Sequence, residues 1–375
     1  MKFVLMPDSF KGTLSSATIC HTLRDVILKH APLADVVSIP VADGGEGTVD
    51  AFLEAMGGEK ITLSVTGPKG HATEGFYGIL TGGEVAVVEM AAASGLPLVS
   101  EQKNPLITTT YGVGELILDA ARRGVKKIVV GLGGSATNDG GCGAAAAVGI
   151  RFLDAHGKCF VPTGQTLKDI ASIDMSHRSP DIDGVEIVTM CDIDNPLYGP
   201  QGAAYVFAPQ KGADDKMVAL LDDGLRHLST HMSAICQYDI QTLAGGGAAG
   251  GMGAGMHVFF SSTLQMGIDT VLDIVGFEKI AKGATYVITG EGRLDGQSLR
   301  GKVIMGIAKR AKSVGVPVLA LVGGVVDKDI TPAYDTGLTS VFPIHRLPQD
   351  FSVCKAYSQD NLRYTMDNIM RLLTK

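Results

Sequence analysis

The placement of glycine constrains this chain more than any other feature. Glycine makes up 49 of the 375 residues, about 13% where ~7% is usual. The glycines follow no collagen-like period. They gather directly after short apolar runs and before stretches with helical spacing. Glycine takes positive φ at no steric cost and lets another backbone or a ligand come close. An apolar run, a glycine-bearing loop and a helix, repeated along a chain, describe an α/β sheet whose ligands bind beyond the carboxyl ends of its strands.

The opening of the chain follows that plan. Residues 2–6 form an apolar run that stops at Pro7 and predict a buried strand. Leu14, Ile19, Cys20, Leu23, Val26 and Ile27 then share one helical face, with Ser15 or Ser16 as the N-cap. A second strand is expected at 36–41 and a glycine turn at 43–47. The helix after it carries Val49, Phe52, Leu53 and Met56 and ends at Gly57-Gly58. The C-terminal third repeats the alternation, with strands at 284–289, 316–322 and 338–344 and a helix carrying Val303, Ile304 and Ile307.

In the middle, residues 61–90 read as extended segments turning at Gly67-Pro68 and Gly82-Gly83. A helix at 114–123 and strands at 126–132 and 185–190 restore α/β character. Residues 245–255, rich in glycine and alanine, hold no regular strand. No linker separates these regions, so one domain is expected to interrupt the other.

Charge and cysteine narrow the function classes. Lys and Arg number 32 against 39 Asp and Glu, a net charge of −7, which disfavours nucleic acid and anionic membranes as partners. Cys20, Cys142, Cys159, Cys191, Cys236 and Cys354 form no C-x-x-C pair and no zinc spacing. No apolar run reaches the ~18 residues of a membrane span, and the one at the N-terminus is too short for a signal peptide. A cytoplasmic protein with reduced thiols is expected.

Five loops at expected strand ends carry the chemistry. The first holds Asp8, Ser9 and Lys11, suited to a small anionic or hydroxylated substrate; Asp8 could equally cap an ordinary turn. The second holds Asp43 and Glu46 among glycines, where the same residues could simply complement a helix dipole. The third, residues 131–141, includes Gly133, Gly134, Ser135, Asn138 and Asp139; its small residues let backbone wrap a phosphate. The fourth holds Asp192 and Asp194, which could bind Mg²⁺ or take a proton from a hydroxyl, or form an Asx turn before Pro196. The fifth holds Glu291, Arg293 and Asp295, where Arg293 could clamp a carboxylate or phosphate and the carboxylates could reach a metal.

Two other matches carry little. Residues 296–302 fit G-x-x-x-x-G-K, but Val303 stands where a P-loop needs Ser or Thr for Mg²⁺. Residues 245–250 fit G-x-G-x-x-G without a strand before them or an acidic residue at the right distance after. There is no G-x-S-x-G elbow, and the nine histidines are scattered. Acidic residues outnumber nucleophiles in the loops, which suits phosphoryl transfer.

The chain resembles the glycerate kinases of the bacterial type I family. The resemblance rests on residues 7–11, 41–48, 89–96, 133–141, 191–197, 208–212 and 288–293, which keep the family's order over nearly the whole length. It implies ATP-dependent phosphorylation of D-glycerate with Mg²⁺, giving 2-phosphoglycerate or 3-phosphoglycerate. It also implies two α/β domains with the site in the cleft between them. One is Rossmann-like or flavodoxin-like with a parallel sheet, expected at 1–60 plus 280–375. The other, at 61–279, is inserted. The family's fold is not of the P-loop, actin-like or protein-kinase kind.

On that reading Asp192, Asp8 and Lys11 form the catalytic set, with Asp192 the first choice for the base. Ser9, Asp43 and Arg293 bind the acceptor. Gly133, Gly134, Ser135, Asn138 and Asp139 bind nucleotide phosphates, and Asp194, Glu291 and Asp295 serve the metal. Two other classes compete. An NAD-linked hydroxy-acid dehydrogenase would need a dinucleotide fingerprint that the sequence lacks. A non-catalytic sensor of phosphorylated metabolites would bind ligand without releasing ADP.

Overall fold

The computed structural model describes residues 1–42, 44–99, 102–296, 302–326, 329–347 and 349–375. They fall into two units. The first comprises residues 1–43, 50–56 and 266–375, and the second 44–49 and 57–265. The divisions near 57 and 265 differ from the expected 60 and 279, for two reasons. Gly58–Thr66 is a strand paired along its whole length with Ala72–Leu80, so residues 58–60 belong to the second unit. The helices Gly267–Val275 and Phe277–Ala281 pack on the helix Val303–Ser313, so residues 267–281 belong to the first.

The first unit is built on a five-stranded parallel sheet. Its order is Leu338–Pro343, Val318–Val322, Tyr286–Glu291, Lys2–Pro7, Asp35–Ser38. Counted along the unit this is 2-1-3-4-5, the flavodoxin-like order. The apolar run at the N-terminus forms a strand because it is covered on both faces: Phe3, Val4, Leu5 and Met6 are fully buried. Phe3, Leu5, Ile288, Leu319 and Leu321 join one core cluster with the stripes Ile19, Leu23, Ile27 and Leu362, Met366, Met370. Those stripes belong to the helices Ser16–His30 and Ser358–Leu373. Ser15 is the N-cap, its hydroxyl accepting from the Thr18 amide at 3.1 Å.

The second unit has a six-stranded sheet, in the order Thr263–Gln265, Glu186–Met190, Lys127–Gly131, Val85–Glu89, Ala72–Leu80, Gly58–Thr66. The first four strands run parallel and the last two antiparallel. The 58–80 hairpin accounts for the extended segments and the turn at Gly67-Pro68. A small antiparallel sheet of Arg151–Leu153, Cys159–Phe160 and Ser172–Asp174 was not evident from the pattern, because its strands are two or three residues long. Residues 245–255 lack a strand, as expected, but most of them enter the helix Ala248–Phe260. Its start is kinked, with Ala249, Gly250 and Gly251 all at positive φ.

Candidate functional site

In the first unit, strand order reverses between Lys2–Pro7 and Tyr286–Glu291. Loops leaving two such neighbours diverge and open a crevice at their carboxyl ends, where α/β sheets bind ligands. Asp8 and Ser9 follow the first strand, and Gly292 and Arg293 follow the second. The Asp8 amide donates to the Gly290 carbonyl at 2.8 Å, tying the loops together. The Ser9 amide donates to Asp8 Oδ1 at 2.6 Å. Phe10 is buried beneath them. A Cβ on Gly292 would stand 3.3 Å from Phe10 Cα and 3.4 Å from the Lys11 amide nitrogen.

Charges of both signs collect at this edge. Asp8 and Glu291 are buried. Lys11 is exposed, and Arg293 is mostly exposed with Nε 3.7 Å from an Asp295 oxygen. Leu294 anchors the second loop, buried and bonded through its amide to the Gly324 carbonyl at 2.9 Å. The first unit therefore gathers Asp8, Ser9, Lys11, Glu291, Arg293 and Asp295 at one strand-end edge. Lys and Arg beside carboxylates at a strand-end edge suit an anionic, hydroxylated ligand. Asp43 lies outside the described residues, as do residues 297–301 of the discounted G-x-x-x-x-G-K match.

In the second unit, Gly131 pairs in register with both Glu89 and Met190. The short helix Ala91–Ser94 and the loops 132–141 and 191–195 therefore leave from one edge of the sheet. The backbone of residues 44–45 lies against them. The Gly133 amide donates to the Gly44 carbonyl at 2.9 Å, and a Cβ on Gly133 would lie 2.4 Å from Gly45 Cα. The Gly134 carbonyl accepts from the Leu96 amide at 2.8 Å. These two glycines were expected to face phosphate. The Gly133 amide is instead engaged with the neighbouring 44–45 segment, and the small size of Gly133 serves loop-on-loop packing.

Asp139 also differs from expectation. It is fully buried, and its carboxylate accepts from the Thr110 amide at 2.7 Å and the Thr110 hydroxyl at 2.9 Å. The Gly141 and Gly143 amides donate to it at 3.2 and 3.3 Å. Burial pushes its pKa up, and these four donors oppose that. A carboxylate so enclosed anchors the loop and cannot orient a substrate hydroxyl. Asn138 is buried too, and neither its amide oxygen nor its amide nitrogen has a protein hydrogen-bond partner; the same holds for the Thr137 hydroxyl.

Lys211 is buried against this loop. Its Nζ donates to Ser135 Oγ at 2.8 Å and to the Thr137 carbonyl at 2.6 Å. Burial lowers its pKa to about 7, with the Asp139 charge acting in the opposite sense. Asp192 is half-buried and Asp194 exposed, in an irregular loop after Met190. Burial raises the Cys191 thiol beside them to about 11, which leaves it a poor nucleophile.

The glycines at 245–250 brace these loops from behind. The Gly247 amide donates to the Asn195 carbonyl, and the Gly140 amide to the Gly250 carbonyl, both at 3.0 Å. A Cβ on Gly250, at φ +70°, would meet the Thr137 carbonyl oxygen at 2.1 Å. No strand precedes them, so they form no dinucleotide fingerprint.

Sequence reasoning missed Lys211 and Glu89 as members of this edge. The buried Glu89 carboxylate accepts from the Val49 amide at 2.6 Å and the Gly47 amide at 3.3 Å. Both residues stand in blocks that carried the family resemblance, which was the one available signal; nothing in a lone Lys or Glu announces burial. Among the described residues no three His, Cys, Asp or Glu side chains stand together as a metal site.

Comparison with known proteins follows the same lines. A profile described as the Glycerate kinase family matches residues 3–374. A glycerate kinase of Bacillus cereus is 42% identical over 370 residues, 98% of this chain and 97% of that one. The glycerate 2-kinase of Escherichia coli is 41% identical over 345 residues, 92% of this chain and 90% of that one. A crystal structure of a provisionally designated glycerate kinase 2 from Salmonella typhimurium LT2 superposes with a TM-score of 0.88. It is 40% identical and covers 100% of this chain and 98% of its own.

Proposed function

We infer the activity from one premise: the chain belongs to the glycerate kinase family. It is a phosphotransferase acting on an alcohol group, and it moves the γ-phosphoryl of ATP to a hydroxyl of D-glycerate. The observation that carries this reading is the family match across residues 3–374. The name of the Escherichia coli relative favours 2-phosphoglycerate as the product. The motif blocks favour the bacterial type I branch. The dehydrogenase alternative has no support, since the one candidate fingerprint is a brace for the loops.

The reaction forms a bond from a glycerate oxygen to the γ-phosphorus and breaks the bond from that phosphorus to the β,γ-bridging oxygen. The hydroxyl proton must leave as the bond forms. Asp192 is our choice to receive it, being partly accessible at a strand-end edge; Asp8 is the second. Lys11 and Arg293 hold the glycerate carboxylate or the moving phosphoryl group, with Ser9 and Asp43 beside the acceptor. The 131–141 loop receives the nucleotide phosphates.

Mg²⁺ belongs to the proposal. Glu291 and Asp295 in the first unit, or Asp194 in the second, would hold the metal together with phosphates and water, the coordination Mg²⁺ ordinarily takes with nucleotides. When bound, it would neutralise phosphate charge. A cytoplasmic setting is likewise proposed, in keeping with six free cysteines; among the described residues no helix is long and apolar enough to cross a membrane.

A coupled ADP-release assay with Mg·ATP tests the activity. ADP release is expected with D-glycerate and not with L-glycerate or without acceptor. The role of Asp192 is tested by Asp192→Asn. A drop in kcat of at least a hundredfold with little change in KM is expected of a lost base; near-normal turnover from folded protein would remove Asp192 from that role.

A further inference from the structure

We propose that Lys211 is the positioning residue of the nucleotide loop, holding Ser135 and the Thr137 backbone from inside the second unit so that the loop presents a fixed face to phosphate. The inference rests on the reading of residues 131–141 as the nucleotide's loop.

The geometry is that of a strut. The Lys211 side chain is 2% exposed, so its ammonium does not wait at the surface for a ligand. It bonds one side chain and one carbonyl of the loop, two residues apart, at 2.8 and 2.6 Å. An ammonium is a compact point charge with three donors, and a carbonyl and a hydroxyl take up two of them here. Burying a lysine is costly unless its charge is used, and a core that needed only volume would take Met or Leu at this place. The cation also faces the one buried carboxylate nearby, Asp139, whose own four donors pin the far end of the same loop.

Between these two fixed points lie Thr137 and Asn138. Their side-chain polar atoms are buried with no protein partner. A native loop rarely leaves three such atoms unpaired. Here they sit where the backbone is clamped on both sides, by Lys211 at residues 135 and 137 and by Asp139 at 139. Unpaired buried groups of this kind are tolerated where the surroundings impose the loop's shape. A polyanion would also favour the charged form of Lys211, so nucleotide binding and protonation of Lys211 are expected to reinforce each other.

The test is a double-mutant cycle with Lys211→Met and Ser135→Ala, each checked for folding by circular dichroism. KM for ATP, KM for D-glycerate and kcat are measured for each. Lys211→Met is expected to raise KM for ATP at least tenfold and leave KM for D-glycerate within twofold. Ser135→Ala is expected to raise KM for ATP about threefold, and the double variant to show less than the product of the two effects. A merely structural lysine would move both KM values or neither. Folded Lys211→Met with both KM values unchanged, or with both raised, overturns the proposal, as do effects that multiply in the double variant. A raised KM for D-glycerate with an unchanged KM for ATP keeps Lys211 as the strut but overturns the assignment of this loop to the nucleotide. Should Lys211→Met fail to fold, Ser135→Ala alone decides, and an unchanged KM for ATP overturns the proposal.

Discussion

A buried lysine ties the stability of the second unit to pH. Lys211 has a folded pKa near 7 against an ordinary value of 10.5, because burial penalises its charged form. Between those values the unfolded chain holds a proton that the folded chain has released. Stability from this group is therefore lowest below pH 7 and rises as pH climbs toward 10.5. Lys211→Met removes the effect, so the variant should gain on the wild type at low pH and lose that advantage as pH rises. The slope approaches roughly 1.4 kcal/mol per pH unit at its steepest. Chemical denaturation of both proteins at pH 6.5, 8 and 9.5 measures it, and a difference independent of pH would contradict the burial argument. Asp139 shows the complementary case. Its burial is answered by four donors, so its charge is spent on shape, and the carboxylates proposed for the chemistry are Asp8, Asp192 and Asp194.

At the scale of elements, the strand-end loops work because their glycines allow backbones to touch. Gly133 is the sharpest instance, since a methyl there would lie 2.4 Å from the Gly45 Cα. Backbone cannot yield as a side-chain tip can, so the two loops must separate. Gly133→Ala is expected to lower kcat/KM for ATP at least tenfold while costing about 1–3 kcal/mol of stability. Steady-state kinetics beside urea denaturation checks both; a folded variant with wild-type kinetics would show that the 44–45 contact is unrelated to the nucleotide. The strands beneath carry a different kind of information. Phe3 to Met6 and Val318 to Val322 are buried throughout, so their continuous apolar runs reported parallel, doubly covered strands directly.

For the whole molecule, the sheet-and-helix alternation was legible because many strands lead into glycine-bearing loops and the longer helices show an apolar stripe. The absence of a linker pointed to one domain interrupting the other; where the two units divide was not legible. Gly58 reads as half of the helix-ending Gly57-Gly58 pair and proves to begin a strand, since pairing with Leu80 overrides local preference. The candidate residues were legible as types at strand ends: Asp8, Arg293 and Asp192 stand where the pattern put them. What each loop atom touches was not legible. No spacing rule says that the Gly133 amide goes to Gly44, that Asp139 is enclosed, or that Lys211 turns inward, because those contacts join residues 76 and 89 positions apart as readily as neighbours.

The most direct test of the account is ³¹P NMR of a reaction holding the protein, Mg·ATP and D-glycerate. The account predicts a new phosphomonoester resonance that grows as the γ-phosphate signal falls. It should appear as a doublet, because phosphorus on the secondary hydroxyl couples to one proton; the primary ester would give a triplet. It should not appear with L-glycerate. Loss of ATP to inorganic phosphate alone, or no change with folded protein, would contradict phosphoryl transfer to D-glycerate.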